Sequence, residues 1–210
     1  MSEATYIPHF SISRQHQKLR PALDEAYDRV LSKSWFVLGE EVKAFEKEFG
    51  EYLGVKHCIG CGNGTDALEL ALKAAGIKAG DEVIVPANTW VSVAESVISV
   101  GASPVFADAL PGEYTIDPAS VQRCISKTTK AIIVVHQYGQ PAHLNELLEI
   151  RDAHKLVLIE DCAHAHGAVY QGKNAGTIGD FGCFSFYPTK NLGCLGDGGA
   201  VVTNNDEYAA

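Results

Sequence analysis

The chain has 210 residues, with 26 Asp or Glu against 17 Lys or Arg and a formal net charge of −9. That length suits one domain of ordinary size with a substantial core. The acidic balance argues against nucleic acid or anionic membrane surfaces as partners, since both would repel it. Met1 to Pro21 is polar and lacks the apolar run of a secretory signal. Apolar runs such as Ala131 to Val135 are strand-sized and too short to span a bilayer. The expectation is a cytoplasmic enzyme or binding protein.

Six cysteines are scattered through apolar segments, at 58, 61, 124, 162, 183 and 194, and in a cytosolic chain such residues are expected as buried free thiols. Cys58-Ile-Gly-Cys61 is a Cys-x-x-Cys, but no second pair at zinc spacing follows and the stretch runs into a glycine turn.

In chain order, residues 1 to 20 look irregular. The spacing of Leu23, Ala26, Tyr27, Val30 and Leu31 predicts a helix from Pro21 to Ser32, with Pro21 at its start. An apolar turn, Ser34 to Gly39, leads to a second amphipathic helix with Val42, Phe45, Phe49 and Tyr52 on one face, stopping near Gly54. These pieces cannot form a core alone and are expected to pack on the larger unit or on a partner subunit.

Strands are then predicted at 55–61, 82–85, 104–106, 131–135, 157–159, 183–186 and 200–203. Helices are predicted at 67–75, 89–100, 118–124 and 142–154. Asp66-Ala-Leu-Glu69 reads as a capping box. A last helix barely begins at Asp206, as if more sequence should follow. The alternation of strand and helix means an α/β fold with a mostly parallel central sheet and helices on both faces. Ligands of such sheets bind beyond the carboxyl ends of the strands. Residues 62–66, 88–90, 136–138, 161–164 and 185–190 fall there and should share one crevice.

Asp180 to Gly199 holds a single lysine, Lys190, among aromatic, small and hydroxyl residues. Pro188 ends the apolar segment, which puts Lys190 at a turn after a strand. Alone, Lys190 reads equally as an exposed loop lysine or as an amine whose pKa is lowered by desolvation, suited to a Schiff base. Its neighbours favour the second, with pyridoxal 5'-phosphate as cofactor. Lys190 would hold the cofactor as an aldimine and Asp161 would pair with the pyridine nitrogen. Gly64 and Thr65, at a helix start, would meet the phosphate, with Ser185 adding a hydroxyl. Trp90 would stack on the ring. Each has a plainer alternative: a helix-capping Asp, a core Trp, an ordinary glycine turn. His164 and His166 lie two apart in a turn and specify no metal geometry. Gly60-x-Gly62-x-Gly64 lacks the spacing of a dinucleotide-binding loop.

Several ordered stretches carry a resemblance: residues 34–46, 62–68, Val85 to Trp90, Tyr138 to Pro141, Glu160 to Ala168, Ser185 to Leu192 and Gly196 to Gly199. On these the chain resembles the N-terminal, cofactor-binding part of the DegT/DnrJ/EryC1/StrS family of sugar-nucleotide aminotransferases, which have the type I, aspartate aminotransferase-like fold. The resemblance implies residues 1–33 as an N-terminal segment and helix, and 34–210 as the large cofactor-binding domain. Family members are longer, with a small C-terminal domain and a loop that reaches the neighbouring subunit's cofactor phosphate; neither is found by residue 210.

The resemblance further implies Lys190 as the Schiff-base lysine and Asp161 as the ring-nitrogen partner. It implies His164 near the phenolic oxygen, Trp90 as the stacking ring, and Gly64, Thr65 and Ser185 at the phosphate. The implied reaction moves an amino group, with glutamate the expected donor, onto a nucleotide-linked keto sugar in a homodimer with shared active sites. Two other readings stand beside it. One is a sugar dehydratase of the same family, against which Lys190 counts because those members carry histidine there. The other is a cofactor-binding piece without turnover.

Overall fold

The structure, a computed structural model, describes residues 7–210. The chain divides into two compact units, residues 1–44 and 45–210. In the first, α1 (Ser13–Lys33) stops at Ser34, which takes the left-handed conformation (φ 51°) and returns its N–H to Val30 and Leu31. Arg29 on α1 pairs with Glu41, 2.9 Å away, near the start of α2 (Glu40–Leu53). No residue of α1 is buried, and Trp35 to Leu38 are exposed.

The expectation of irregular chain to residue 20 is corrected here. Residues 1–6 lie outside the described residues, 7–12 hold no regular element, and 13–20 are helical. Ser13 to Arg20 is rich in Arg, Gln, Lys and Leu, all good helix formers. Pro21 therefore sits inside α1 rather than at its start. It removes one backbone donor, and the exposed helix leaves the orphaned carbonyl to water.

The second unit carries the sheet. Its elements are β1 (His57–Cys61), α3 (Gly64–Ala74), β2 (Glu82–Pro86), α4 (Ser92–Ser99) and β3 (Ser103–Ala107), then α5 (Pro118–Cys124), β4 (Thr129–Val135) and α6 (Leu144–His154). There follow β5 (Val157–Asp161), a small hairpin of β6 (Val169–Tyr170) and β7 (Lys173–Asn174), β8 (Phe181–Ser185) and β9 (Gly199–Thr203). The seven-stranded sheet runs β1-β9-β8-β5-β4-β2-β3. Only β9 is reversed, pairing antiparallel with β1 and β8. The other strands share one direction, so their carboxyl ends open on one edge.

Side chains alternate between the two faces of a strand, and that parity divides structure from chemistry. Ile133 and Val135 on β4, Ile159 on β5, and Phe181 and Cys183 on β8 face a core built with Ala67, Leu68, Ala71 and Leu72 of α3 and Val93 and Val97 of α4. The opposite face packs Ile132, Val134 and Leu158 against Val121 of α5 and Leu144 and Leu147 of α6. Further along that face Phe49 of α2 meets Phe184 and Phe186 edge-on at 5.0 and 5.4 Å. Helices thus cover both faces, as the alternation of elements implies.

Two boundaries differ from the sequence reading in ways that matter to the site. The helix expected from Thr89 begins at Ser92, which leaves Thr89 in a bend and Trp90 outside any regular element. The helix expected from Ala67 begins at Gly64, and its cap is Asn63: the Asn63 side chain accepts the Asp66 N–H at 2.9 Å and donates to the Asp66 carboxylate at 3.1 Å. The box is therefore Asn63–Asp66, three residues upstream of the expected Asp66–Glu69, because Asn63 is already extended and ready to cap.

Gly182 on β8 shows how tightly this unit is closed. A Cβ there would lie 2.2 Å from the Gly176 carbonyl oxygen, which is backbone and cannot swing aside. Gly182→Ala should cost about 3 kcal/mol or more, at the upper end of overpacking, read as a lower urea midpoint with unchanged m-value. A midpoint equal to wild type would show that the 176–179 loop is not held against β8.

Candidate active site

The carboxyl edge holds a cavity of about 770 Å³ whose lining comes from β1–α3, the β2 exit, β4, β5, β8 and the approach to β9. All the expected site residues line it: Gly64, Thr65, Trp90, Asp161, His164, Ser185 and Lys190. Each of the five expected crevice stretches contributes to the lining, although His136 and Tyr138, with Gly62, Asn88, Cys162, Phe186 and Pro188, do not themselves line it.

At one side stands the start of α3. Asn63 occupies the Asp66 N–H, so the N–H groups of Gly64 and Thr65 remain at a helix end where anions are favoured. Gly64 is pressed against β8: a Cβ would sit 2.7 Å from the Ser185 Cβ. Only glycine lets the turn and the Ser185 hydroxyl come together, which makes a cradle fit for a phosphate.

Adjacent residues of β5 then split the work. Glu160 points away from the cavity and is fully buried. Its oxygens accept N–H groups from Gly176 (2.9 Å), Ile178 (2.7 Å) and Gly179 (2.6 Å), and the Nε2–H of buried His136 at 2.9 Å. His136 Nδ1 accepts the Ala142 N–H at 3.1 Å, which places the ring proton on Nε2. Burial alone would raise the Glu160 pKa, but His136 and the backbone donors outweigh it and hold the carboxyl below its ordinary value. Glu160 is a structural anion.

Asp161, one residue on, faces the cavity. Its Oδ1 accepts the Ala163 N–H at 2.9 Å. Burial pushes its pKa above the ordinary range, opposed by that bond and by the charge of Lys190. It is a carboxylate short of cationic company, suited to a protonated ring nitrogen.

Lys190 follows β8 in a turn closed by its own N–H to the Tyr187 carbonyl at 2.8 Å. It is half-buried, and desolvation lowers its pKa against the pull of Asp161. That is the direction an amine nucleophile needs. Burial and Lys190 also lower the pKa of His164, whose Nδ1 is buried without a partner among the described residues. The His164 ring lies parallel to Tyr138 at 6.2 Å, and Tyr138 itself is held at φ 56°. Trp90 is 74 % exposed and also lines the cavity.

The cavity also contains residues that the sequence reading did not assign, Gln137 and Asp197 among them. Gln137 had a signal: it continues the parity of Ile133 and Val135. Asp197 lies in the Gly196 to Gly199 stretch that contributes to the resemblance, but no role is attached to it there. The lining holds Asp66, Asp161 and Asp197 against Lys190.

Ligand atoms of His136, Glu160 and Cys162 lie within 4.8 Å of one another, but this is no metal site. The His136 Nε2 proton and the backbone donors occupy the lone pairs, and burial keeps the Cys162 thiol protonated by raising its pKa well above 9.0. His166 packs between Phe184 and Phe186, and burial lowers it to about 4. All six cysteines are free, and burial raises Cys58 to about 12 and Cys61 to about 11, which suits inert thiols rather than a redox pair.

The fold is that of a recognised class. Residues 17–210 match the pattern of the DegT/DnrJ/EryC1/StrS aminotransferase family, and the chain belongs to that family. It is 47% identical to a "pleiotropic regulatory protein" of Geobacillus stearothermophilus over 97% of this chain and 55% of that protein. It is 43% identical to the dTDP-3-amino-3,4,6-trideoxy-alpha-D-glucose transaminase of Streptomyces venezuelae, over 99% and 55%.

Among solved structures, S. venezuelae DesV in complex with a ketimine intermediate matches with a TM-score of 0.95 at 43% identity, over 98% of this chain and 56% of that one. NtdA from Bacillus subtilis with the bound cofactor PMP matches with a TM-score of 0.90 at 33% identity, over 99% and 47%. The chain spans about half the length of the curated relatives it matches. No helix among the described residues is long and apolar enough to cross a membrane.

The two β5 carboxyls should respond to pH with opposite signs. A lowered carboxyl pKa stabilises above the ordinary value and the benefit is lost as pH falls through the folded one; a raised pKa does the reverse. Glu160→Gln should therefore cost about 3–5 kcal/mol near neutrality, with a gap to wild type that narrows as pH falls below 4.5. Asp161→Asn should raise the melting temperature of the unloaded protein at pH 7, with the gain fading toward acid. Equal pH profiles for the two variants would contradict this division.

Proposed function

We propose that this chain is the cofactor-binding part of a pyridoxal 5'-phosphate-dependent aminotransferase acting on a nucleotide-linked keto sugar, with glutamate as donor. One observation carries the reading: a half-buried lysine of lowered pKa and a buried carboxyl of raised pKa share a cavity with a glycine-tight helix start. The family membership and the transaminase and PMP-bound relatives support it.

In this reading Gly64, Thr65 and Ser185 hold the phosphate, and Asp161 keeps the pyridine nitrogen protonated. His164 presents a neutral ring to the phenolic oxygen, and Trp90 covers one face. When bound, the cofactor supplies an aldehyde for the amine and an electron-withdrawing ring. Lys190 would be the amine that holds that aldehyde, with loss of water, and as a free amine would be the base placed to move a proton to and from the donor's α-carbon. The lining's excess of carboxylates over ammonium suits a phosphate site completed by a second copy, a homodimer with shared active sites.

A second reading, a cofactor-binding protein without turnover, draws on the similarity to a regulatory protein. A dehydratase is disfavoured by Lys190. Cofactor-loaded protein mixed with glutamate should yield 2-oxoglutarate in a single turnover, and Lys190→Ala should slow this by at least about 10²-fold. Cofactor bound at Lys190 with no 2-oxoglutarate formed from glutamate, or from any amino acid tried, would favour the non-catalytic reading.

A further inference from the structure

Gln137 is a buried polar residue of the cavity for which the reading above has no task. It is 8 % exposed, and its Oε1 is buried with no donor among the described residues. A neutral amide in that state lowers the stability of the protein that carries it, because a buried polar atom loses water and gains nothing.

Its position explains what the amide is for. Val135 pairs with Asp161 across β4 and β5, and the next amide, that of His136, donates to the Asp161 carbonyl at 3.1 Å. Gln137 therefore stands just past the carboxyl end of β4, beside the end of β5 where Asp161 lies, and both line the cavity. The backbone leaves it little choice of place. His136, one residue before, is locked to Glu160, and the Gln137 carbonyl is taken by the Gln140 N–H at 3.0 Å. The side chain is the free part. The last torsion of a glutamine is broad, so either the oxygen or the NH₂ group can be turned into the cavity.

We propose that Gln137 is a binding residue of the cofactor pocket, whose side-chain amide makes a hydrogen bond to a polar ring substituent of the pyridine-type ligand held at Asp161. This rests on the cofactor reading and adds a contact to it. The site is preorganised at the expense of the unloaded protein: Asp161 and Gln137 both wait, buried and under-partnered, for the same ligand. A merely structural glutamine would behave in the opposite way, since removing it would weaken the unloaded fold and leave the ligand's affinity alone.

The test is a titration of the full chain with pyridoxal phosphate followed by visible absorbance, beside melting temperatures without cofactor, for wild type and Gln137→Leu. The expected result is a Kd weakened about tenfold, as for one lost hydrogen bond. The unloaded protein should melt about 2–4 °C higher. Gln137→Met, unbranched like glutamine, replaces the leucine variant if that fails to fold. Affinity within twofold of wild type would overturn the role of Gln137 while leaving the cofactor reading intact. A wild-type protein that takes up no cofactor would overturn both.

Discussion

A carboxylate with no access to water organises this molecule. Glu160 gathers three backbone N–H groups of the 176–179 loop and the ring N–H of His136. His136 in turn receives the Ala142 N–H, so β4, β5, the entry to α6 and the loop packed on β8 are tied to one side chain. A buried charge is tolerated only when it is so completely paired, and the pairing leaves the network no second arrangement. The cavity on the other face of the same strands inherits that rigidity, which a site that must hold reacting groups in register requires.

The cavity itself is built on the opposite principle. Among the described residues Asp161 is buried with one bond where Glu160 has four, Lys190 is desolvated, and His164 carries an unpartnered nitrogen. Each departure lowers the stability of the unloaded chain, and in the proposed reading each would be relieved by a ligand with a ring N–H, a carbonyl carbon and an ionised oxygen. Neighbours in sequence, Glu160 and Asp161, thus serve opposite ends because a strand sends them to opposite faces.

Much of this was legible in the sequence. Alternating strands and helices foretold the layered sheet, and the strand-end positions of Asp161, Ser185 and Lys190 foretold one crevice. The parity of Ile133, Val135 and Gln137 was equally readable, but the assignment stopped at motif residues and left Gln137 without a task. Other misses have physical causes. Asp66–Glu69 has capping-box spacing, yet Asn63 caps first. Pro21 looked like a helix start, whereas an exposed helix of good formers carries it inside. The β6–β7 hairpin turns on Gln171 and Gly172, both at positive φ, in a stretch too short for periodicity to show. Asp197 lies in a loop whose course no local pattern encodes.

The central claim is that the lysine at the carboxyl edge is the attachment point of a pyridoxal cofactor. The most direct measurement is the visible spectrum of the protein with pyridoxal phosphate before and after borohydride, followed by mapping of the labelled peptide. The account predicts a visible band that borohydride abolishes, with the reduced label on Lys190. A label on another lysine, or no reducible band in protein shown to be folded, would contradict it.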